Sequence, residues 1–107
     1  MKIIVFEPGR KAVVKNVQND LESLQHIVNG YIEILHPFDD PVALVVNEEG
    51  KLNRSRANRP LYDDEGKILD ILYGTFFLCG DGEDDLTDIP EELIPKYKDM
   101  FPLPKDN

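Results

Sequence analysis

Three of the four arginines in this chain lie within six residues of one another: Arg54, Arg56 and Arg59. The rest of the chain is acidic, so the clustering is unexpected from composition alone. A guanidinium group binds phosphate or carboxylate through two parallel hydrogen bonds. The spacing therefore predicts a pocket for a compact anion, such as a nucleotide or another phosphorylated small molecule.

Other side chains near this cluster would complete the anion site. An asparagine supplies further hydrogen-bond donors, and a tyrosine ring offers a face on which a base or sugar stacks. The alternative is that the arginines pair with carboxylates nearby in sequence, Asp63 and Asp64 among them, because surface ion pairs are common and individually weak. The predicted ligand-binding residues are Arg54, Arg56, Asn58, Arg59, Tyr62 and Tyr73.

The charge of the chain is unevenly distributed. There are 21 acidic side chains against 12 lysines and arginines, for a net charge of −9, and residues 81–107 contain nine of the acids. This balance opposes binding to nucleic acid or to an anionic membrane, because affinity for phosphates comes from lysine and arginine. We therefore predict no direct nucleic-acid binding and no membrane docking.

The acidic C-terminal segment predicts a second function that is independent of the arginines. An acidic surface can bind a basic protein as an adaptor, as an inhibitor or as a mimic of nucleic acid, or it can simply keep the protein soluble. The candidate protein-interaction residues are Asp81, Glu83, Asp84, Asp85 and Asp88.

No metal site, cofactor or catalytic residue is predicted. Residues 81–92 place acids at several ligand positions of a calcium-binding EF-hand loop, but Leu86 stands where that loop needs glycine, and Pro90 interrupts it. The two histidines, His26 and His36, are not spaced as zinc ligands. No serine or cysteine stands in a nucleophile motif, and the chain is therefore predicted not to be an enzyme.

The length of 107 residues predicts one domain, residues 1–107, with an acidic C-terminal segment at 81–107. The apolar runs are too short to span a membrane. The single cysteine, Cys79, excludes an internal disulfide framework and indicates a reducing, cytoplasmic location.

Hydrophobic patterning predicts an α+β fold with five or six mostly antiparallel strands, one helix on a face of the sheet and a C-terminal helix. One parallel pairing stays open, and residues 53–67 are predicted to form a long loop. Strands are predicted at 2–7, 11–17, 31–35, 42–46, 68–72 and 75–79.

Two helices complete this pattern. The first is predicted to begin at Asn19 or Asp20 as N-cap and to stop at Gly30. Its apolar stripe is Leu21, Leu24, Ile27 and Val28. The second covers residues 91–100, and Tyr97 and Phe101 lie on its apolar face.

Five short motifs occur in a fixed order between residues 6 and 77. They are Phe6–Gly9, Leu24–Leu35, Asn47–Leu52, Asn58–Arg59 and Gly74–Phe77. With these motifs, residues 1–80 resemble a family of small proteins, the domain of unknown function DUF3846. Around Asn58–Arg59 that family has small or apolar residues where this chain has Arg54 and Arg56, and the acidic tail departs from the family pattern.

Members of that family occur in Gram-positive bacteria, their phages and mobile elements, often near anti-restriction genes. The resemblance implies a cytoplasmic accessory protein of phage or mobile-element type and brings no catalytic residue. We expect a small non-enzymatic binding protein that captures a phosphorylated small molecule or nucleotide signal in counter-defence. The alternative is an acidic module that acts on a basic surface of a host defence protein. A homodimer is a further candidate, because small sheet proteins often have exposed edges.

Overall fold

The computed structural model describes residues 1–50 and 55–103. These residues form eight strands, one turn of 3₁₀ helix at Glu91–Leu93 and two α-helices. None of these helices is long and apolar enough to cross a membrane. The strands are β1 (Lys2–Phe6), β2 (Val13–Asn16), β3 (Ile32–Leu35), β4 (Val42–Asn47), β5 (Ala57–Tyr62), β6 (Ile68–Tyr73), β7 (Phe76–Asp81) and β8 (Leu86–Thr87). The α-helices are α1 (Leu21–Val28) and α2 (Ile94–Met100).

The strands form one six-stranded sheet and one two-stranded sheet, which confirms the predicted α+β fold. The larger sheet has the order β2-β1-β7-β4-β3, and β8 pairs with β7. The smaller sheet is the β5–β6 hairpin. Among the described residues every strand pairing is antiparallel, so the parallel pairing that the sequence left open is not formed.

The central strands of the six-stranded sheet, β1, β7 and β4, are buried on both faces, whereas the four residues of the edge strand β2 are exposed. All six residues of β4 are buried, as its continuous apolar run predicts. Because side chains alternate along a strand, neighbouring residues such as Phe77 and Leu78 enter different apolar clusters. Leu24 and Val28 of α1 cover one face, and the β5–β6 hairpin together with α2 covers the other.

The first helix begins as predicted and ends differently. Asp20 is its N-cap and accepts a hydrogen bond of 2.7 Å from the Ser23 amide. Leu24 and Val28 are buried, whereas the predicted core residue Leu21 is 59% exposed, because the helix meets the sheet one turn later. The helix ends at Asn29, with a left-handed φ of 60°, and not at Gly30 as predicted.

Gly30 is required for a different reason. The Asn47 amide, on β4, donates hydrogen bonds to the last carbonyls of α1, Val28 O at 3.1 Å and Asn29 O at 3.2 Å. A Cβ atom at residue 30 would lie 2.6 Å from that amide nitrogen. The glycine therefore leaves room for the side chain that joins α1 to the sheet.

The predicted long loop at 53–67 is wrong over residues 57–62. The segment forms β5 and pairs with β6, with irregular register on both sides of Arg59–Leu61. The few apolar residues of β5 do not predict a strand. Two of its polar residues, Asn58 and Arg59, are buried instead, and hydrogen bonds satisfy their side chains. The turn that follows is held by Asp63, whose Oδ1 accepts from the Glu65 and Lys67 amides at 2.9 Å. Residues 53 and 54, at the start of the predicted loop, lie outside the described residues.

The C-terminal helix packs on an aromatic cluster, as its apolar face predicts. Tyr97 and Phe101 are buried. Phe101 contacts the stacked rings of Phe6 and Phe76 at centroid distances of 5.3 and 5.7 Å, and Tyr97 contacts Phe38 at 4.9 Å. The C-terminal end of the chain is thereby tied to β1 and β7, at the centre of the sheet.

The contact between Gly30 and Asn47 generates a stability prediction. Gly30→Ala should lower the free energy of unfolding by about 1–3 kcal/mol, because the added methyl must displace a buried amide. Asn29→Gly is the matched control at the left-handed position and should change stability by less than about 1 kcal/mol. Urea denaturation followed by circular dichroism measures both. Equal effects of the two substitutions would contradict the steric account.

Candidate functional site

The predicted anion site is centred on Arg59, and this residue is buried with 1% exposure. Its guanidinium donates to three main-chain carbonyls, Glu7 O at 3.2 Å, Arg10 O at 2.6 Å and Phe101 O at 3.3 Å. It also lies 5.5 Å from the centre of the Phe6 ring. Burial lowers the pKa of Arg59. The structure thus gives Arg59 internal partners in place of the predicted ligand.

Asn58 belongs to the same internal network. Its amide donates to Phe6 O and to Gly74 O, both at 2.8 Å, and its side-chain oxygen accepts from the Arg59 guanidinium at 2.6 Å. Gly74 has a φ of +74°, and a Cβ atom there would lie 3.2 Å from the Ser55 side chain. Asn58 and Arg59 therefore join β5 to the main sheet.

The other residues of the predicted site do not assemble around a common point. Arg54 lies outside the described residues. Arg56 is exposed near the Gly9 turn, and Tyr73 lies at the same end of the hairpin. Tyr62 pairs with Ile68 at the opposite end, five residues from Ala57, which is roughly 16 Å at the rise of a strand. The two tyrosines cannot stack on one small ligand.

The predicted interaction residues, by contrast, gather at one end of the six-stranded sheet. Segment 81–92 meets the β3–β4 connection there, where the Asp81 amide donates to Pro41 O at 2.9 Å. It also meets the start of α1, where the Asn19 amide donates to Leu86 O at 2.8 Å. We call this region the acidic end. Its carboxylates are Asp20, Asp39, Asp40, Asp81, Glu83, Asp84, Asp85, Asp88, Glu91 and Glu92.

Few cations offset these carboxylates. Lys2 bonds Glu91 at 2.8 Å, and Lys96 bonds Asp40 at 2.6 Å. His36 lies 3.2 Å from Asp81. The acidic end therefore holds most of the surplus negative charge of the chain.

The backbone of the acidic end is fixed by some of its own acids. Asp85 Oδ1 accepts from the Leu86 amide, and Asp88 Oδ1 accepts from the Lys2 amide, both at 2.8 Å. Gly80 is buried where any Cβ would collide with the Asp88 carbonyl. Glu83 and Asp84 are exposed at the tip between β7 and β8. The arrangement presents free carboxylates on an ordered backbone.

The same contacts argue against a calcium loop in segment 81–92. Asp85 and Asp88 each accept a hydrogen bond from a main-chain amide with one carboxylate oxygen. Leu86–Thr87 is the strand β8, so the segment does not have the conformation of a calcium-binding loop. Within residues 1–50 and 55–103, no three histidine, cysteine or acidic side chains form a group that could hold a metal ion. The Cys79 thiol is buried, which raises its pKa to about 12 and makes it a poor nucleophile.

Sequence reasoning missed a three-residue contact that holds α2 in place. Asp40 Oδ2 accepts from Lys96 at 2.6 Å and from the Tyr97 hydroxyl at 2.7 Å. The Lys96 hydrogen bond, followed by that of Tyr97, lowers the pKa of Asp40. Burial, followed by the Asp40 contact, raises the pKa of Tyr97. The sequence contained one indication of this contact: Tyr97 lies on the apolar face of the predicted helix, and a buried tyrosine hydroxyl needs a hydrogen-bond partner.

Comparison with known proteins supports the family resemblance. Residues 1–102 match the family described as a domain of unknown function, DUF3846. The chain belongs to this family. The match passes residue 80, where the sequence resemblance was expected to end, and takes in the acidic end and α2. No curated protein and no solved structure matches the chain.

Because the buried hydrogen bonds of Arg59 join distant segments of this DUF3846 protein, we expect Arg59 to be important for its stability. Arg59→Lys should lower the free energy of unfolding by about 2–4 kcal/mol, because one ammonium cannot reach the oxygens that the guanidinium satisfies. Arg56→Lys, the exposed control, should stay within about 0.5 kcal/mol of the parent. Thermal and urea denaturation measure both. A tolerant Arg59→Lys variant would contradict the structural role.

The Asp40–Tyr97 contact predicts a pH dependence. Because the folded pKa of Tyr97 is raised, its contribution to stability is present below the unfolded value of about 10 and is lost as pH rises above it. Tyr97→Phe should cost about 0.5–1.5 kcal/mol at pH 7. The difference between parent and variant should shrink between about pH 9 and 11. A difference that stays constant over this range, in urea titrations at each pH, would refute the coupling.

Proposed function

We propose that this DUF3846 protein is a non-enzymatic protein-interaction module whose acidic end binds a basic surface of a partner protein. The observation that supports this most directly is the collection of ten carboxylates at one end of the sheet, with Lys2 and Lys96 as the lysines bonded to them. Complementary potentials of this kind speed association and select against partners of the same sign.

The order of the acidic end favours binding over simple solvation. The Asp81 amide, which donates to Pro41 O, fixes the chain before the β7–β8 tip. Hydrogen bonds from Leu86 and Lys2 fix it after the tip. Since the backbone is held before the partner arrives, less conformational entropy is lost on association. Carboxylates that served solubility alone would need no such support.

Capture of a phosphorylated small molecule, the other expectation, has weaker support. The donors of Arg59 and Asn58 are directed at protein oxygens, and Tyr62 and Tyr73 stand at opposite ends of their hairpin. Of the two clustered arginines that the structure describes, Arg56 is exposed and Arg59 is buried. A single exposed guanidinium is a weak phosphate site in a chain of net charge −9.

The class of partner follows from the chemistry of the surface. Proteins that bind nucleic acid present clustered lysine and arginine, and an ordered acidic surface competes for such a cluster. The resemblance noted above, to proteins encoded near anti-restriction genes, makes a host defence protein the partner class we propose. The reduced, buried Cys79 is in keeping with a cytoplasmic site of action.

Charge-neutralised variants test this function. Glu83→Gln, Asp84→Asn and Glu92→Gln combined should weaken binding to the basic partner about tenfold, because each exposed charge pair contributes up to about 1 kcal/mol. Glu33→Gln, Glu48→Gln and Glu49→Gln combined make the same change in net charge away from the acidic end and should leave affinity nearly unchanged. Partners are recovered on immobilised protein from the source cells, and their affinities are then measured by calorimetry.

Salt dependence separates this mode of binding from an apolar one. Binding should fall steeply up to about 0.5 M salt, where exposed charges are screened within a few ångströms. A partner that binds both triple variants equally, or that resists this salt, would rule out the acidic end as the binding surface.

A further inference from the structure

A cleft of about 190 Å³ opens beside the acidic end, between α2, the β3–β4 connection and the turn after β5. Drug-sized ligands occupy pockets of roughly 300–1,000 Å³, so this cleft is suited to a single side chain and too small for a nucleotide. Its lining residues are seven apolar or aromatic residues, three aspartates and one lysine. The lining includes Phe38, Asp39, Tyr62, Asp64, Lys96 and Met100.

The charges around the cleft favour a cation. Asp39, Asp63 and Asp64 contribute carboxylates to its lining. The lysine in the lining, Lys96, is bonded to Asp40 at 2.6 Å, so its charge is already compensated. Asp63 uses Oδ1 for the turn amides, while Asp39 and Asp64 are exposed at the surface. The cleft therefore has an uncompensated negative charge.

The aromatic lining favours the same kind of ligand. Tyr62 is 47% exposed, and Phe38, Tyr97 and Phe101 contribute rings deeper in the lining. The face of an aromatic ring attracts a cation, and a planar guanidinium also stacks on it. Met100, 37% exposed, offers a flexible apolar contact for an aliphatic stem.

We propose that this cleft, formed by Phe38, Asp39, Tyr62, Asp64 and Met100, receives one arginine side chain of the partner protein. This inference rests on the proposed function and names the group that the acidic end would recognise. The stem of the arginine packs between Met100 and Phe38, and its guanidinium stacks on Tyr62 and reaches Asp39 or Asp64. Lysine fits less well, because its ammonium is a compact, strongly hydrated charge that cannot stack.

The cleft can be tested without knowing the partner, by titrating the ¹⁵N-labelled protein with N-acetyl-arginine amide. The amide should shift resonances of Tyr62, Asp64 and Met100, with a dissociation constant on the order of millimolar. N-acetyl-citrulline amide, which has nearly the same shape and no charge, should shift none of them. N-acetyl-lysine amide should bind several-fold more weakly than the arginine compound.

Two variants and a matched control locate the site. Asp39→Asn with Asp64→Asn should weaken the arginine amide roughly tenfold, and Tyr62→Ser should weaken it two- to fivefold. Glu33→Gln with Glu49→Gln makes the same charge change elsewhere and should leave binding unchanged. All of these residues are solvent-exposed, so we expect each variant to fold. A dispersed NMR spectrum of each variant checks this.

The outcomes distinguish the cleft from the wider proposal. If the amide shifts only residues 81–92, or citrulline binds as well as arginine, the cleft proposal is overturned. If the amide binds the cleft as described but the affinity for the partner protein does not depend on Glu83, Asp84 and Glu92, the acidic-end function is overturned and the cleft proposal stands. If the amide shifts nothing while the partner still depends on those three acids, the function stands and the cleft does not.

Discussion

Among the residues that the structure describes, the buried Arg59 guanidinium has no carboxylate partner, and the arrangement of the surrounding segments depends on this. A buried cation is costly unless oxygen dipoles replace the water that it loses. Here these come from the β1–β2 turn at Glu7 and Arg10, from Phe101 after α2, and from Asn58. One side chain of β5 therefore holds two distant parts of the chain against the hairpin, with the ring of Phe6 on one side.

Two asparagine side chains also connect separate elements of the fold through hydrogen bonds. Asn47 ties the end of α1 to β4, and Asn58 ties β5 to Phe6 and Gly74. In each case the amide donates to two main-chain carbonyls at or next to the end of a helix or strand. The layers of this fold are therefore held by apolar burial across the sheet and by specific polar contacts at its ends. Within the described part of the chain, no buried polar side-chain atom lacks a hydrogen-bond partner.

Elements stabilised by apolar burial or by a local helix cap could be predicted from the sequence, and elements stabilised by polar contacts between distant residues could not. The fully buried β4 and the capped start of α1 were both predicted. The strand β5 was predicted as loop, because Asn58, Arg59 and Pro60 carry no period-two apolar pattern. Asn58 and Arg59 were assigned to a ligand, since clustered arginines indicate binding when their burial is unknown. Spacing alone does not reveal that a guanidinium faces carbonyls from residues 7, 10 and 101.

The charge distribution is itself a physical constraint that the fold has to meet. Like charges gathered at one end repel, and at about 0.15 M salt the screening length of about 8 Å leaves neighbours within one loop only partly screened. Spreading the acids over the surface would keep the protein soluble at less cost in stability. Instead, Asp85 and Asp88 hold the backbone in the conformation that keeps Glu83 and Asp84 together at its tip. This concentration of charge is the physical basis of our proposal that the acidic end binds a partner of opposite charge.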